Sequence, residues 1–324
     1  MAVDTNFGPR LDVPGIQDSD TGSKSRVLHV AITGASGLVG SALIANLSAT
    51  GNSVTRLVRR EPSRNDIMWD PAAPSLDAAR LEGTNVVVHL AGENIAAARW
   101  TENVKRRIHD SRVLGTQLLS TALSRLDAPP KALIMASAIG FYGDRGDEML
   151  DERSGAGQGF LAEVARQWEA AAQPALDAGI RVVHLRYGVI LSPQGGALGK
   201  MLLPFKLGGG GRIGSGRQWW SWISLDDAVG AIRHAMETES LSGPVNAVAP
   251  LPVTNAEFTK TLGRVLHRPT ILPMPAFAAR LAMGEMADAL LLASTRVTPR
   301  RLLETGYEFE HPTLDAALRH LLNP

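Results

Sequence analysis

The sequence contains no cysteine, which excludes disulfide bonds, thiolate metal sites and a cysteine nucleophile. Neither sign of charge dominates, since 33 Lys and Arg residues stand against 32 Asp and Glu residues and the net charge is +1. The chain has no charge signature of nucleic-acid or anionic-membrane binding, so we expect neither partner. No membrane span is expected, because the most apolar helical stretch, residues 275–294, contains Arg280, Glu285 and Asp288. The lack of cysteine fits a reduced compartment, and we expect a cytoplasmic protein.

Two further features are absent, a signal peptide and a metal-ligand pattern. Residues 1–25 are rich in Gly, Asp and Ser and lack the basic start and apolar middle of a signal peptide. We predict that they form a disordered leader. The eight histidines show no spacing typical of metal ligands, so no metal site is expected. His29, His89 and His184 lie in strand-like runs, where we expect buried, hydrogen-bonded imidazoles.

After the leader, apolar runs alternate with segments of helical spacing. Strands are predicted at residues 26–33, 54–58, 86–90, 132–136 and 181–185, and helices at 38–49, 101–126 and 160–178. This alternation predicts an α/β fold with a doubly wound parallel sheet of the Rossmann type.

The pattern changes after residue 187. Residues 192–216 are rich in loop-forming residues, a helix is predicted to start at Asp226 with Asp226 and Asp227 as its N-cap pair, and residues 245–248 predict one more strand. From residue 250 onwards helical segments and prolines dominate. We therefore expect two regions. The Rossmann domain comprises residues 26–190 plus 223–249, and a smaller, mostly helical region of residues 191–222 plus 250–324 packs over the carboxyl ends of the strands.

A glycine-rich segment joins the first predicted strand to the first helix. In this segment Gly34 suits a tight turn, Gly37 lets the backbone approach a phosphate, and Gly40 lets the helix pack closely on the strand. The helix N-terminus offers free N–H groups and a positive dipole end to an anion. The segment therefore predicts a pyrophosphate site for a dinucleotide. Its predicted residues are Gly34, Ser36, Gly37, Leu38, Val39 and Gly40.

The end of the second strand distinguishes NAD from NADP. An Asp or Glu at this point usually binds the ribose hydroxyls of NAD. Here the strand ends in Arg59 and Arg60, and guanidinium groups can bind a 2′-phosphate that a carboxylate would repel. We therefore predict NADP(H) as the cofactor. Glu61 follows directly and keeps NAD as an alternative.

With these features the chain resembles the extended, or atypical, short-chain dehydrogenase/reductases. More narrowly it resembles the "epimerase family protein" group, which is NAD-dependent epimerase/dehydratase-like and has a C-terminal domain of unknown function. The resemblance runs from about Val27 to Leu322. The matching motifs are Thr33–Gly40, His89–Ile95, Arg99–Thr101, Asp110–Arg112, Ser137–Gly143, Met201–Phe205 and Gly214–Trp219.

The resemblance implies further site residues. Leu90, Ala91 and Gly92 correspond to a turn beside the adenine ribose and pyrophosphate, and Arg112 corresponds to a position that faces the cofactor. The substrate cleft is expected near Glu93 and near the segment Arg217, Gln218 and Trp219, although a tryptophan-rich segment is equally typical of a core. Members of the extended group often dimerise through two helices per subunit, so a homodimer is expected.

The catalytic set of the typical family member is incomplete here. Such enzymes use a Tyr as general acid/base, a Lys four residues later, a Ser that fixes the substrate oxygen, and a supporting Asn. No tyrosine of this chain is followed four residues later by lysine. By spacing from Ser137, the Tyr and Lys positions carry Phe160 and Val164, and the Asn position carries Arg112.

Ser137 and Tyr142 are therefore the predicted catalytic residues. Tyr142 follows a strand end, where ligands bind in open α/β sheets, and we predict that it donates a proton. Without a lysine its pKa should stay near 10, and a packing role is an equal alternative. Glu163 is a further candidate base, for which a solvated helix position is the favoured alternative.

Two functions remain open from the sequence. The first is an NADP(H)-dependent oxidoreductase or epimerase that acts on a small carbonyl or hydroxyl compound, such as a sugar nucleotide. The second is a catalytically silent NADP(H)-binding sensor or regulatory protein, which the missing Tyr-x-x-x-Lys favours. The cleft expected at Ser137 and Tyr142 favours the enzyme, which we prefer.

Overall fold

A computed structural model describes residues 27–60 and 62–322, so the predicted leader, residues 1–25, and Glu61 lie outside the described residues. The strands are β1 (His29–Thr33), β2 (Ser53–Val58), β3 (Ile67–Asp70), β4 (Ser75–Leu76), β5 (Val86–His89), β6 (Ala132–Ala138), β7 (Met149–Leu150), β8 (Arg181–Tyr187), β9 (Val189–Leu191), β10 (Trp219–Trp220), β11 (Trp222–Ser224), β12 (Gly243–Ala247), β13 (Val253–Thr254) and β14 (Arg296–Val297).

The α-helices are α1 (Leu38–Ala49), α2 (Glu102–Leu123), α3 (Phe160–Ala170), α4 (Gln173–Asp177), α5 (Gly196–Lys206), α6 (Leu225–Glu237), α7 (Asn255–Leu266), α8 (Ala276–Met283), α9 (Glu285–Ala287), α10 (Arg300–Glu304) and α11 (Leu314–Leu322). Short 3₁₀ segments occur at Ala78–Leu81 and Ile139–Tyr142, and a π-helical turn at Asp288–Leu292. Among the described residues, no helix combines the length and apolarity needed to cross a bilayer.

Eight strands form the main sheet in the order β12-β8-β6-β5-β1-β2-β3-β4. Neighbouring strands run parallel except for the last pair, in which β4 is antiparallel to β3. The chain order reverses between β1 and β5, and ligands bind at such a switch point, beyond the carboxyl ends of the strands. The predicted α/β fold with a doubly wound parallel sheet is therefore confirmed.

Apolar side chains of the central strands alternate between two cores, one on each face of the sheet. Val30 and Ile32 of β1 belong to the core that contains Leu43 of α1. Ala31, between them, belongs to the core that contains Leu119 of α2. Both faces of the strand are covered, which explains why its sequence is a continuous apolar run.

A third core lies outside the main sheet. Its buried residues are Leu191, Leu198, Phe205, Trp220, Trp222, Ala249, Phe258, Leu262, Val265, Leu314, Ala317 and Leu318. They fall almost entirely within the two segments that were assigned to the smaller region. The division into domains itself stays a prediction.

Three secondary-structure expectations need correction. Residues 192–216, predicted as loop, contain α5, which starts after Gly195 without any side-chain cap to mark it in the sequence. The segment 160–178 forms two helices, α3 and α4, because the chain restarts with proline in the first turn of α4. The N-cap of α6 is Ser224, whose Oγ accepts the N–H of Asp227, so Asp226 and Asp227 lie in the first turn.

Candidate functional site

The loop between β1 and α1 folds back on itself at its glycines. Gly34 has a φ of +69°, in the left-handed region that favours glycine, and a Cβ there would lie 2.7 Å from the carbonyl carbon of Leu90. A Cβ on Gly40 would overlap the carbonyl oxygen of Gly34. Both positions therefore exclude any side chain, as the motif predicts.

The first turn of α1 has open amide groups. Its N-cap residue, Gly37, supplies no side-chain hydrogen bond, and the turn contains no acidic residue. Within the described residues, the N–H groups of Leu38, Val39 and Gly40 have no hydrogen-bond acceptor, and Ser36 beside them is exposed. Since free N–H groups and the helix dipole attract anions, this turn has the chemistry of a phosphate site.

Two unpaired arginines lie at the same edge of the sheet. β1 pairs with β2 so that Thr33 is opposite Leu57, and Arg59 and Arg60 leave the sheet beside the loop. Both side chains are exposed and have no ion pair or hydrogen bond in the described part of the chain. Arg56, in contrast, binds a buried aspartate through Nε and Nη2 at 2.8 and 2.7 Å. The charges of Arg59 and Arg60 are therefore available to an anionic ligand.

A buried threonine ties the turn after β5 to the loop. Oγ1 of Thr33 accepts hydrogen bonds from the N–H groups of Leu90 and Ala91 at 3.1 and 3.2 Å. The His89 ring joins the same hydroxyl to α2, with Nδ1 2.7 Å from Thr33 Oγ1 and Nε2 3.0 Å from Thr116 Oγ1. Burial lowers the pKa of His89 to about 4, so this ring is neutral at pH 7. The prediction of a buried, hydrogen-bonded imidazole at His89 is confirmed.

Arg112 of α2 lies under the same turn. Its Nη1 donates to the carbonyl oxygens of Glu93 and Ile108 at 3.0 and 3.1 Å, and its guanidinium lies 5.0 Å from the Trp168 ring centre. A Cβ on Gly92 would lie 3.2 Å from the Arg112 Cζ. Burial lowers the pKa of Arg112 to about 10, which leaves it charged at pH 7. Because no carboxylate within the described residues pairs with it, this charge suits an anionic ligand at the turn.

Glu93 and its neighbours form the rim of this turn. Its carboxylate lies 3.5 Å from Arg107 Nε, and its N–H donates to Ser111 Oγ at 3.0 Å. The side chain is about one third exposed. Glu93 is therefore accessible to a ligand, and its predicted substrate contact stays a prediction.

Ser137 and Tyr142 are not bonded to each other but to a buried ion pair. Ser137 Oγ donates to Glu169 Oε1 at 2.7 Å. The same carboxylate accepts Nε and Nη2 of Arg186 at 2.8 and 2.7 Å, and Arg186 Nη1 donates to the Tyr142 hydroxyl at 3.0 Å. The tyrosine in turn donates to Asn246 Oδ1 at 2.7 Å. The network connects the carboxyl ends of β6, β8 and β12 with α3.

This environment favours the packing alternative for Tyr142 over the predicted role of proton donor. Its side chain is fully buried and its hydroxyl makes both hydrogen bonds with protein groups, so it does not reach a ligand. Burial also raises the pKa of the Tyr142 phenol above its usual value. We assign Tyr142 to the core. Ser137 is 3 % exposed and lies at the end of β6, so its role at the site stays a prediction.

The helix at the expected Tyr and Lys positions supplies no substitute base. Val164 of α3 is buried, and Phe160 packs edge-on against Trp100 at 5.1 Å between ring centres. Glu163 is exposed and bound to Arg166, whose hydrogen bond lowers the pKa of Glu163 to about 2. Glu163 is therefore an ionised surface residue, which agrees with the alternative interpretation of a solvated helix position.

The predicted substrate segment is partly structural. Gln218 is buried, and its Nε2 donates to two backbone carbonyls at 3.0 Å, so its amide is not available to a substrate. Trp219 Nε1 donates to Asp147 at 2.9 Å, and Arg296 stacks on its ring at 4.0 Å. Arg217 is exposed, so of these three residues it is the one with an accessible charge.

Two groups of residues come together in the structure without any signal in the sequence. Glu169 and Arg186 were not identified because a carboxylate on a helix and an arginine at a strand end give no local signal of burial. Asp226, His311 and His320 approach within 4.8 Å of one another through their ligand atoms, although each belongs to a different element. Sequence spacing cannot show a cluster drawn from three separate segments, and the expectation that no metal site is present stays untested.

A surface groove of about 670 Å³ lies between α2 and the β3–β4 hairpin. Its lining includes Pro71, Leu114 and Arg125 and none of the predicted cofactor, catalytic or substrate residues. The groove therefore does not mark the candidate site.

Comparison with known proteins identifies the family. The profile of the NAD dependent epimerase/dehydratase family matches residues 30–247. The chain belongs to the NAD dependent epimerase/dehydratase family. A second profile, a domain of unknown function designated DUF1731, matches residues 274–321. The resemblance stated from the motifs is thus confirmed.

Relatives cover nearly the whole described chain. An epimerase family protein of Mycobacterium tuberculosis is 47% identical over 290 residues, which are 89% of this chain and 96% of the relative. The structure of human epimerase family protein SDR39U1 (isoform 2) with NADPH is similar to this chain, with a TM-score of 0.84 and 38% sequence identity. The alignment covers 91% of this chain and 99% of the human chain. A nucleoside-diphosphate sugar epimerase from Corynebacterium glutamicum has a TM-score of 0.77 and 41% identity, covering 92% of this chain and 58% of its own. These epimerase family structures share the sheet and the helical C-terminal region.

Proposed function

We propose that this epimerase family member binds NADP(H) and exchanges hydride between it and a small carbonyl or hydroxyl compound, such as a sugar nucleotide. The observation that carries the proposal is the open first turn of α1 beside Arg59 and Arg60, which are exposed and have no ion pair among the described residues. The human relative solved with NADPH supports the choice of nucleotide.

The residues present fit this cofactor. The pyrophosphate would be held by the amides of the first turn of α1, where Gly34 and Gly40 leave no space for side chains. Arg59 and Arg60 would bind the 2′-phosphate, which NAD lacks. The turn at Leu90–Gly92 and the buried charge of Arg112 would complete the site. Bound NADP(H) would supply the hydride chemistry at its nicotinamide ring.

The protein's own contribution to the reaction would centre on Ser137. In the oxidation direction, its Oγ would accept the proton of a substrate hydroxyl while its own proton passes to Glu169 Oε1, 2.7 Å away. Reduction would reverse these transfers. Arg186 would act as a positioning residue that orients the Glu169 carboxylate through two hydrogen bonds.

A second function, NADP(H) binding without turnover, is favoured by one observation. The predicted proton donor, Tyr142, is buried in the core, and the positions of the family's Tyr and Lys carry Phe160 and Val164. A serine bound to a carboxylate that already pairs with arginine is a weak substitute for that acid/base pair. A regulatory protein that senses NADP(H) needs the binding site alone.

One experiment separates the two functions. The full chain is titrated with NADPH and NADH, following the nicotinamide fluorescence, and is then screened with carbonyl compounds and sugar nucleotides by the NADPH absorbance. Binding with preference for NADPH and oxidation by at least one substrate supports the enzyme. Binding without oxidation moves the assignment to the sensor. If neither nucleotide binds the folded protein, both functions are wrong.

Ser137→Ala tests the proton route once a substrate is found. We expect kcat to fall by at least about 100-fold, the contribution typical of general acid–base catalysis, with the NADPH Kd unchanged. Ser124→Ala is the control, because its hydroxyl binds a backbone carbonyl one turn earlier at the end of α2. An unchanged kcat would remove Ser137 from the mechanism.

Two coarser expectations remain part of the proposal. The region of residues 191–222 plus 250–324 would cover the substrate. The accessible side chains of Glu93 and Arg217 would lie at the edge of the substrate cleft. The protein would act as a homodimer, and a measurement of its molar mass in solution would test this.

A further inference from the structure

Three metal-ligating side chains, none of them assigned to the cofactor or to catalysis, meet where α11 approaches the start of α6. Asp226 lies in the first turn of α6, His320 lies on α11, and His311 lies in the segment before α11. Asp226 Oδ2 is 3.1 Å from His320 Nε2 and 3.9 Å from His311 Nε2. The two imidazole rings stack with their centres 4.3 Å apart and an angle of 28° between their planes. Three potential ligand atoms thus converge on one point.

The backbone around the cluster is held in place by a buried neighbour. Asp227 has no exposed surface, and its carboxylate accepts the N–H groups of Glu310 and His311 at 2.8 and 3.1 Å. It also accepts the Ser224 hydroxyl at 2.7 Å. His311 is therefore fixed to the start of α6 independently of its own side chain, and the cluster does not depend on a flexible loop.

His311 has an unsatisfied group that an ion would complete. Its Nε2 is shielded from solvent and has no hydrogen-bond partner among the described residues. Leaving such a buried atom unpaired is unfavourable, so native structures usually satisfy it. Coordination to a metal ion between His311, His320 and Asp226 would satisfy it directly.

The ligand set selects the class of ion. Two imidazole nitrogens and one carboxylate oxygen are typical of Zn²⁺ and related borderline transition metals, whereas Ca²⁺ and Mg²⁺ take oxygen ligands. Ligand atoms of a tetrahedral zinc site lie roughly 3.3 Å apart, given bonds of about 2.0–2.2 Å. The ligand atoms here lie within 4.8 Å of one another, and the two exposed side chains, Asp226 and His320, can rotate to shorten that separation.

We propose that Asp226, His311 and His320 bind one Zn²⁺ ion, with solvent in the remaining coordination position. Asp226 and His320 are about half exposed, which leaves a path for the ion and room for water. The ion would connect α11, at the end of the chain, to α6 of the Rossmann sheet. Its effect would be to stabilise the docking of the C-terminal helix, and it would take no part in the proposed use of NADP(H).

The test uses the full chain without any histidine tag, stripped of metal with a chelator and titrated with ZnCl₂ by calorimetry. We expect one Zn²⁺ per chain, and no binding of MgCl₂ under the same conditions. His320→Ala should weaken Zn²⁺ binding by more than about 100-fold, because loss of a contact outside the coordination sphere already costs 10–100-fold. His267→Asn is the matched control: it removes an exposed histidine outside the cluster, and asparagine tolerates its positive φ of 53°. The control should bind like the wild type.

A second measurement keeps the proposal testable if a variant is less stable. Co²⁺ in place of Zn²⁺ should give visible absorption typical of tetrahedral coordination, and Zn²⁺ in excess should raise the Tm of the wild type by several degrees but not that of His320→Ala. Wild-type protein that binds no Zn²⁺ overturns the proposal. So does a His320→Ala variant that binds Zn²⁺ as tightly as the wild type.

Discussion

Replacing both Arg59 and Arg60 with alanine should remove the preference for NADPH over NADH. Both guanidinium groups are exposed at the edge that carries the phosphate loop and have no partner among the described residues. A hydrogen bond to a charged group contributes about 1.5–3 kcal/mol, and exposure to water reduces this towards about 1 kcal/mol for each arginine. Two arginines on one phosphate therefore contribute about 2 kcal/mol, which is roughly 30-fold in Kd.

The assay is the fluorescence titration of each nucleotide at low and high salt. For the double variant we expect an NADPH Kd raised roughly 30-fold and an NADH Kd within about 3-fold of the wild type, since NADH has no 2′-phosphate. Higher ionic strength should reduce the wild-type preference, because exposed charges are screened. Arg64→Ala removes a nearby exposed arginine and should change neither constant. If the double variant keeps the wild-type NADPH Kd, the two arginines do not bind the 2′-phosphate and the reasoning from charge is wrong.

Three further predictions concern the loop, the core tyrosine and the buried histidine. Gly40→Ala should weaken NADPH binding and lower the free energy of unfolding by about 1–3 kcal/mol, because its Cβ would overlap a loop carbonyl. Gly155→Ala is the control, because a Cβ there meets open space and should change neither quantity. Equal NADPH affinities for the two variants would contradict this prediction. Tyr142→Phe should lower the free energy of unfolding, measured with urea, by about 1–3 kcal/mol and leave any turnover intact, because it removes a buried hydrogen bond. Tyr187→Phe is the control, because the Tyr187 hydroxyl makes only a 3.4 Å contact. A large loss of kcat at unchanged stability would restore Tyr142 as a proton donor. The pKa of His89 is about 4 in the folded protein and 6.5 in the unfolded chain, so between these pH values the unfolded chain binds one more proton. The free energy of unfolding should therefore fall as the pH drops from 6.5 to 4, by up to about 1.4 kcal/mol per pH unit. His89→Gln should flatten that pH dependence in urea unfolding.

The fold was predictable because its signals are local. The continuous apolar run at β1 predicts a strand that is buried on both faces. The glycines of the loop are required because a side chain there would overlap adjacent segments. The helix α5 was not predictable in this way. It begins after a glycine with no capping side chain and contains Pro204, so its sequence looks like loop although packing of Leu198 and Phe205 stabilises it.

The site divides along the same line. The proposed cofactor-binding half consists of backbone amides and strand-end charges, and both can be located from spacing. The other half depends on which distant side chains the sheet brings together. Tyr142 and Ser137 are close in sequence, yet the structure connects them only through Glu169 of α3 and Arg186 of β8. No local pattern distinguishes a tyrosine that faces a cleft from one that faces this ion pair.

The buried pair of Glu169 and Arg186 also limits what mutagenesis near Ser137 can prove. The two side chains are about 12 % and 4 % exposed, and removing one partner of such a pair leaves an uncompensated buried charge that costs about 3–5 kcal/mol. A variant of either residue would therefore lose stability whether or not the network moves a proton, so its loss of activity would not identify a catalytic role. Ser137→Ala leaves the ion pair complete, so a loss of kcat with unchanged stability and NADPH affinity is the result that separates catalysis from structure at this site.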